Sequence, residues 1–254
     1  MNLPVSSDYP ASFARFYDLI YHRVRDGVDN DFFLTEISKT HGKVLEIGVG
    51  TGRLFLDALS AGADAYGIDI SVSMLEVLDK KLNEGQRTRI SKQDMVDFHF
   101  DFTFDLVIAP FRVLMHVMEK DDQLKALNNV CRHLNPGGRF IFDTFVPDLR
   151  QLVNPLDRFT DFEGEHAPGK KLKRTVSTRP ELIRQVINVD FILEWDEDEG
   201  HFEDLFCLPM RYFFRYELEH LVERSDFTEY KISGDYLGNE LSEQSKEFIV
   251  ICRK

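Results

Sequence analysis

The chain has 254 residues, 43% of them hydrophobic, which suffices for one large α/β domain or a domain with a subdomain and requires no disulfide staple. A formal net charge of -13 argues against a general nucleic-acid binder, because phosphate contacts need a concentrated basic surface. Three scattered cysteines outside any C-x-x-C pattern fit a reducing compartment, the cytoplasm, and no basic-then-apolar leader or bilayer-length apolar stretch points to a membrane.

Phe13, Phe16, Tyr17, Ile20, Tyr21 and Val24 recur at helical spacing after Asp8 or Ser12, either of which suits a cap, so the chain opens with an amphipathic helix. From Lys43 onward strands alternate with helices, the mark of a parallel sheet covered on both faces. The strands are expected at Lys43 to Ile47, Ala65 to Asp69, Arg89 to Gln93, Phe104 to Ala109 and Arg139 to Phe145. Ser73 to Glu76 fits a capping box that opens a helix faced by Leu75, Leu78 and Leu82. A second stripe, Leu124, Leu127, Cys131 and Leu134, stops at Asn135-Pro136-Gly137-Gly138.

Beyond Phe145 the period shortens to two. Ile187, Val189, Phe191, Leu193 and Trp195 share one face, and Phe202, Phe206, Leu208, Met210 and Tyr212 repeat the pattern after an acidic turn, Asp196 to Gly200, giving an antiparallel hairpin or meander. A helix at Tyr216 to Arg224, a strand at Thr228 to Ser233 and an antiparallel last strand at Glu247 to Cys252 complete a Rossmann-like, mostly parallel sheet of seven strands. The acidic run Glu194 to Asp204 and the basic cluster Lys170 to Arg174 read as solvated hairpin ends able to pair with each other. The expected organisation is an N-terminal helical cap at 1–40, a cofactor-binding unit at 41–146 and 216–254, and an antiparallel insert at 147–215 serving as substrate lid or dimer contact.

The chemistry gathers at VLEIGVGTGRL, residues 44–54, where a buried strand runs into Gly48, Gly50 and Gly52. Glycines there let the backbone turn sharply and approach a ligand closely. The spacing is G-x-G-x-G, not the G-x-G-x-x-G of a pyrophosphate cradle, and an acid, Glu46, precedes it. Asp69 ends the second strand, where a carboxylate can accept both hydroxyls of a ribose; Asp94 and Met95 follow the third.

These elements, with FDLVIAPF, LNPGGRFIFDTF and the closing RYFFRYELEHLVERSDF and EFIVICRK, resemble the class I S-adenosylmethionine-dependent methyltransferases, in register from Val44 to about Phe145. The resemblance implies S-adenosylmethionine as cofactor. It places Gly48, Gly50 and Gly52 along the methionine moiety and ribose, with Glu46 and Thr51 in the same turn. It further puts Asp69 on the ribose, Asp94 and Met95 on the adenine, and Ile70, Met74 and Pro110 nearby. Tyr17 and Tyr21 lie one helical turn apart in a segment resembling the family's covering helix, Tyr21 toward the cofactor and Tyr17 toward the substrate.

Methyl transfer is an in-line displacement at an already activated carbon, so the protein supplies alignment, a dry cavity and a deprotonated nucleophile. The candidates beside the strand ends are His116, Asp143 and Arg112. Each has a plainer reading: His116 satisfied by a backbone carbonyl, Arg112 in an ion pair, Asp143 shaping a loop. Arg112, Arg211 and Arg215, with Tyr212, are able to clamp a carboxylate or phosphate, or else are solvated. Ala109-Pro110-Phe111 lacks the amide or acid of enzymes that methylate adenine or glutamine nitrogen, and no metal cluster is evident. The expected acceptor is therefore a small-molecule N or O nucleophile, and the expected assembly a monomer or homodimer. Two alternatives stand beside this: a nicotinamide-dependent oxidoreductase, opposed by the glycine spacing and the lack of any Tyr-x-x-x-Lys pair, and a non-catalytic S-adenosylmethionine-binding domain.

Overall fold

The computed structural model describes residues 8–24 and 27–254. In chain order its elements are α1 (Ala11–Val24), α2 (Val28–Ser38), β1 (Lys43–Ile47), α3 (Phe55–Ser60), β2 (Asp64–Asp69), α4 (Val72–Asp79), α5 (Glu84–Arg87), β3 (Ile90–Lys92), β4 (Phe104–Ala109), α6 (Lys120–His133) and β5 (Leu134–Phe145). Then follow α7 (Leu149–Val153), β6 (Phe159–Ala167), β7 (Lys170–Glu181), β8 (Val186–Glu197), β9 (Gly200–Arg211), α8 (Arg215–Glu223), β10 (Glu229–Ser233) and β11 (Glu247–Arg253).

Seven strands form one sheet in the order β10-β11-β5-β4-β1-β2-β3, and β11 alone runs against its neighbours. The chain leaves β1 toward β2 and β3, then returns to the other side of β1 at β4. That reversal opens a crevice at the carboxyl ends of β1 and β4, where sheets of this kind take their ligands. Burial on both faces explains the continuous apolar runs of the central strands. On one side Leu45, Val107 and Phe140 pack with Leu127 of α6 and Leu218 of α8; on the other Val44, Ile108 and Ile141 pack with Phe33 of α2 and Phe55 of α3.

The insert is larger than its alternation announces. Four strands, β6-β7-β8-β9, form a separate antiparallel sheet, because the Lys170 to Arg174 cluster continues into β7 and does not end in solvent. Its end does pair with the acidic run as expected, Lys170 with Glu197 and Asp198, both at 3.2 Å. Arg174, however, is 2% exposed. Helix α1 lies along the inner face of this sheet: Phe13 packs on Phe191 and Phe206, and Phe16 and Ile20 on Leu172 and Leu193.

Two caps differ from expectation. α4 starts at Val72 and is capped by Ser71, whose hydroxyl accepts the Met74 N–H at 3.2 Å, so Ser73 falls inside the helix. Ser12 likewise sits in the first turn of α1 and donates to Asp204 at 2.5 Å, tying the helix to the insert. Among the described residues no helix is long and apolar enough to cross a membrane.

Candidate active site

β1 hands over to a turn in which Gly48, Gly50 and Gly52 take φ of +73°, +55° and +89°, values that L side chains adopt only with strain. Gly48 and Val49 donate to the Ile68 carbonyl at 2.8 and 3.0 Å, fastening the turn to β2. At the tip of β2, one Asp69 oxygen accepts the Gly50 N–H and the other the Ser71 N–H, each at 2.8 Å. Burial raises the Asp69 pKa; the two amide bonds oppose that rise by favouring the carboxylate. Thr51 donates to Asp18 of α1 at 2.6 Å, and Lys81 reaches both Asp18, at 2.5 Å, and the Thr51 carbonyl, at 2.8 Å.

A cavity of about 1030 Å³ opens beside this turn, bounded by the strand ends of the seven-stranded sheet, by α1 and by the inner face of the insert. Glu46, Gly48, Gly50, Thr51, Asp69, Ile70 and Met74 line it, as do Asp94, Met95 and Pro110. So do Tyr17, Tyr21, Arg112 and His116. Glu46 is 4% exposed and burial raises its pKa well above the carboxylate range, with Arg53 opposing. Gly52 does not line the cavity. A Cβ there would overlap Leu78, so this glycine serves close packing of the turn against α4.

After β4, Phe111 and Arg112 take φ of 61° and 69°, two successive left-handed residues without glycine. Such strain persists only where its surroundings fix it. Here Asp143 accepts the Arg112 N–H at 3.3 Å and the Tyr236 hydroxyl at 3.0 Å, while the Arg112 guanidinium pairs with Glu247 at 2.8 Å. The turn presents the Phe111 ring edge-on to Tyr21, centroids 5.4 Å apart, beneath the Arg53 guanidinium. Asp143 is fully buried and does not line the cavity. It positions a loop.

Burial pushes the Asp143 pKa up to about 6 from 3.8, against the pull of Arg112. The native state thus binds its proton more tightly than the unfolded chain, so stability is fully present below pH 4 and is lost as pH rises through about 6. Asp143→Asn, which mimics the protonated form, is expected to unfold at higher urea than the parent at pH 8, by up to about 3 kcal/mol, the gap closing toward pH 4. A gap independent of pH in paired urea titrations would contradict this.

His116 ends a short 3-10 turn, Val113–His116, and its ring faces the Pro209 backbone of β9; burial lowers its pKa to about 4. It is neutral at physiological pH. A neutral imidazole carries one N–H donor and one bare nitrogen that accepts. Three residues expected at the substrate stand elsewhere: Tyr212 is 3% exposed in the apolar core, Arg215 pairs with Glu219 at 2.7 Å on the outer face of α8, and Arg211 is not in the cavity wall. The register explains this, since the chain leaves the insert sheet at Arg211 and turns away to start α8. Sequence reasoning passed over Tyr9, Arg53, Phe111, Asp161 and Arg174, all in the wall. Arg53 was within the quoted glycine motif, and Arg174 shares the alternating face of Leu172 and Val176.

Residues 44–138 match the methyltransferase domain family. An uncharacterised methyltransferase of Bacillus mycoides strain KBAB4 is 30% identical over 176 residues, covering 69% of this chain and 80% of the relative. Among solved structures, a S-adenosylmethionine-dependent methyltransferase from Clostridium acetobutylicum ATCC 824 superposes at a TM-score of 0.73 and 19% identity, over 95% of this chain and 97% of the other. The sugar N-methyltransferase KedS8 from Streptoalloteichus sp ATCC 53650 does so at 0.75 and 18%, over 100% and 99%. The chain belongs to the class I S-adenosylmethionine-dependent methyltransferases and is an enzyme that uses that cofactor.

Proposed function

We propose that the enzyme methylates the nitrogen of a small-molecule amine. The observation that carries this reading is His116, neutral in the wall of a cavity enclosed by α1 and the insert. With a pKa near 4, His116 is too weak a base to keep a proton taken from a hydroxyl, whereas an amine that has lost its ammonium proton to solvent attacks through its lone pair and sheds a second proton only after the transfer. Its free ring nitrogen orients an amine N–H and leaves the amine lone pair to aim at the methyl carbon. The cavity, about 1030 Å³, has the capacity for two small ligands and lies at the upper end of small-molecule sites. KedS8, a sugar N-methyltransferase by name, shares the fold.

The cofactor, when bound, supplies a methyl carbon activated by its sulfonium. The chain's own residues fit it. A Cβ on Gly50 would meet only the Gly48 carbonyl, at 3.9 Å, so the backbone there is open to close approach; the Asp69 oxygens keep further lone pairs for ribose hydroxyls, and Asp94 with Met95 would take the adenine end. Residues 41–146 and 216–254 then act as the cofactor-binding unit, 147–215 as the acceptor lid and 1–40 as the cap. Three buried free cysteines suit a reducing cytoplasm.

The test is to supply methyl-labelled cofactor with a filtered metabolite extract and, separately, with its protein and nucleic-acid fraction. Label is expected on nitrogen in the filtrate; label confined to macromolecules or to oxygen overturns the reading. With the acceptor in hand, His116→Ala should lower kcat about tenfold to a hundredfold and KM little, and the parent's pH–rate profile should show no break near 6.5.

A further inference from the structure

We infer that Arg174, held by Asp161, is the acceptor's anchor, and that it takes an uncharged oxygen, a hydroxyl or carbonyl, carried by the amine. The inference rests on the amine-methylation reading above. Arg174 lies on β7 and is 2% exposed. Its Nε and Nη2 donate to the two Asp161 oxygens at 3.0 and 2.7 Å, and its guanidinium lies over the rings of Tyr21 and Phe191, 4.8 and 5.2 Å from their centroids. Nη1 is buried without a hydrogen-bond partner, the Tyr21 side chain acting on the guanidinium without completing it, and Arg174 and Asp161 both belong to the cavity wall. A guanidinium N–H left unsatisfied in a wall is costly unless a ligand completes it.

The strand geometry is built around this pair. Thr160 pairs with Thr175 and Phe162 with Arg174, so Asp161 is the extra residue of a bulge, a device that re-aims a side chain. Asp161 already balances the Arg174 charge in bidentate fashion. Among the described residues the cavity's other arginines are ion-paired too, Arg53 with Asp29 at 2.7 Å and Arg112 with Glu247 at 2.8 Å, although Arg112 Nε is likewise buried without a partner, while Asp94, Glu119 and Asp122 add negative charge to the wall. A carboxylate or phosphate entering beside Arg174 meets a net negative field and a single spare guanidinium nitrogen, Nη1. An uncharged oxygen needs only that donor, and Val176, Phe191 and Leu208 beside it provide an apolar floor for the rest of the molecule.

The experiment titrates four probes into the protein saturated with S-adenosylhomocysteine: phenethylamine and its para-hydroxyl, para-carboxamide and para-carboxylate analogues. The hydroxyl and carboxamide probes are expected to bind at least about tenfold more tightly than the other two. Arg174→Met should bring all four within about twofold, and Asp161→Asn, which keeps the guanidinium and releases its charge, should shift preference toward the carboxylate by about tenfold. The carboxylate binding best to the parent overturns the inference, as does selectivity surviving Arg174→Met or equal or absent binding of all four probes. Should Arg174→Met not fold, the parent's selectivity and the Asp161→Asn shift decide. S-adenosylhomocysteine is titrated first: its failure to bind the parent strikes the proposed function, whereas normal binding with no probe preference strikes this inference alone.

Discussion

Asp69→Ala is expected to weaken S-adenosylhomocysteine binding at least about a hundredfold, because the two charge-assisted hydrogen bonds to ribose that we propose for Asp69 would each be worth about 1.5–3 kcal/mol. The variant also frees the Gly50 and Ser71 amides that Asp69 holds at 2.8 Å, so the glycine turn keeps only its backbone bonds to Ile68 as anchors to β2. Asp69→Asn separates the two roles only in part. Its amide group must point a donor at one of those N–H groups, so it should fall closer to alanine than to the parent. Calorimetric titration of the three proteins checks this, and a loss below threefold in Asp69→Ala would mean that the carboxylate serves the turn alone.

Gly48→Ala should cost about 2–4 kcal/mol of stability. At φ +73° an alanine is strained by about 1 kcal/mol, and its Cβ would overlap the Val113 side chain, a stiff β-branched group on the turn after β4. For a chain of this size the melting temperature should drop by roughly 4 to 16 °C. Gly62→Ala provides the control, since Gly62 has φ +86° with nothing near its Cβ and should show the backbone strain alone. Equal drops in the two variants, measured by thermal denaturation, would remove the overlap from the account.

The seven-stranded sheet was legible because its central strands are buried on both faces and punctuated by glycine and helix stripes, which local sequence reports directly. The glycine turn and the acids at the tips of β2 and beyond β3 were legible for the same reason: each is a feature of one strand end. Arg174 was not. Its neighbours Lys170, Lys171 and Lys173 make the segment read as a solvated charge cluster, and only the pairing of β7 with β8 reveals which face of the strand is enclosed. Asp161 is harder still, since a bulge shifts it out of the alternation that a reader would count. Arg211, Tyr212 and Arg215 failed for the complementary reason. They follow the hairpin in sequence, but the chain bends away before they reach the cavity, and that bend is a tertiary choice.

Helix α1 is fastened at both ends of its reach: Ser12 and Arg15 to Asp204 and Glu197 of the insert, and Asp18 to Thr51 and Lys81 beside the glycine turn. It is the keystone between two sheets, and its four buried side chains, Phe13, Ala14, Phe16 and Ile20, close the insert's greasy floor. A minimal version cut to begin after Val24 would bare that floor to water and invite clumping. Anyone trimming this enzyme for expression must therefore spare its first helix, however peripheral it looks on paper.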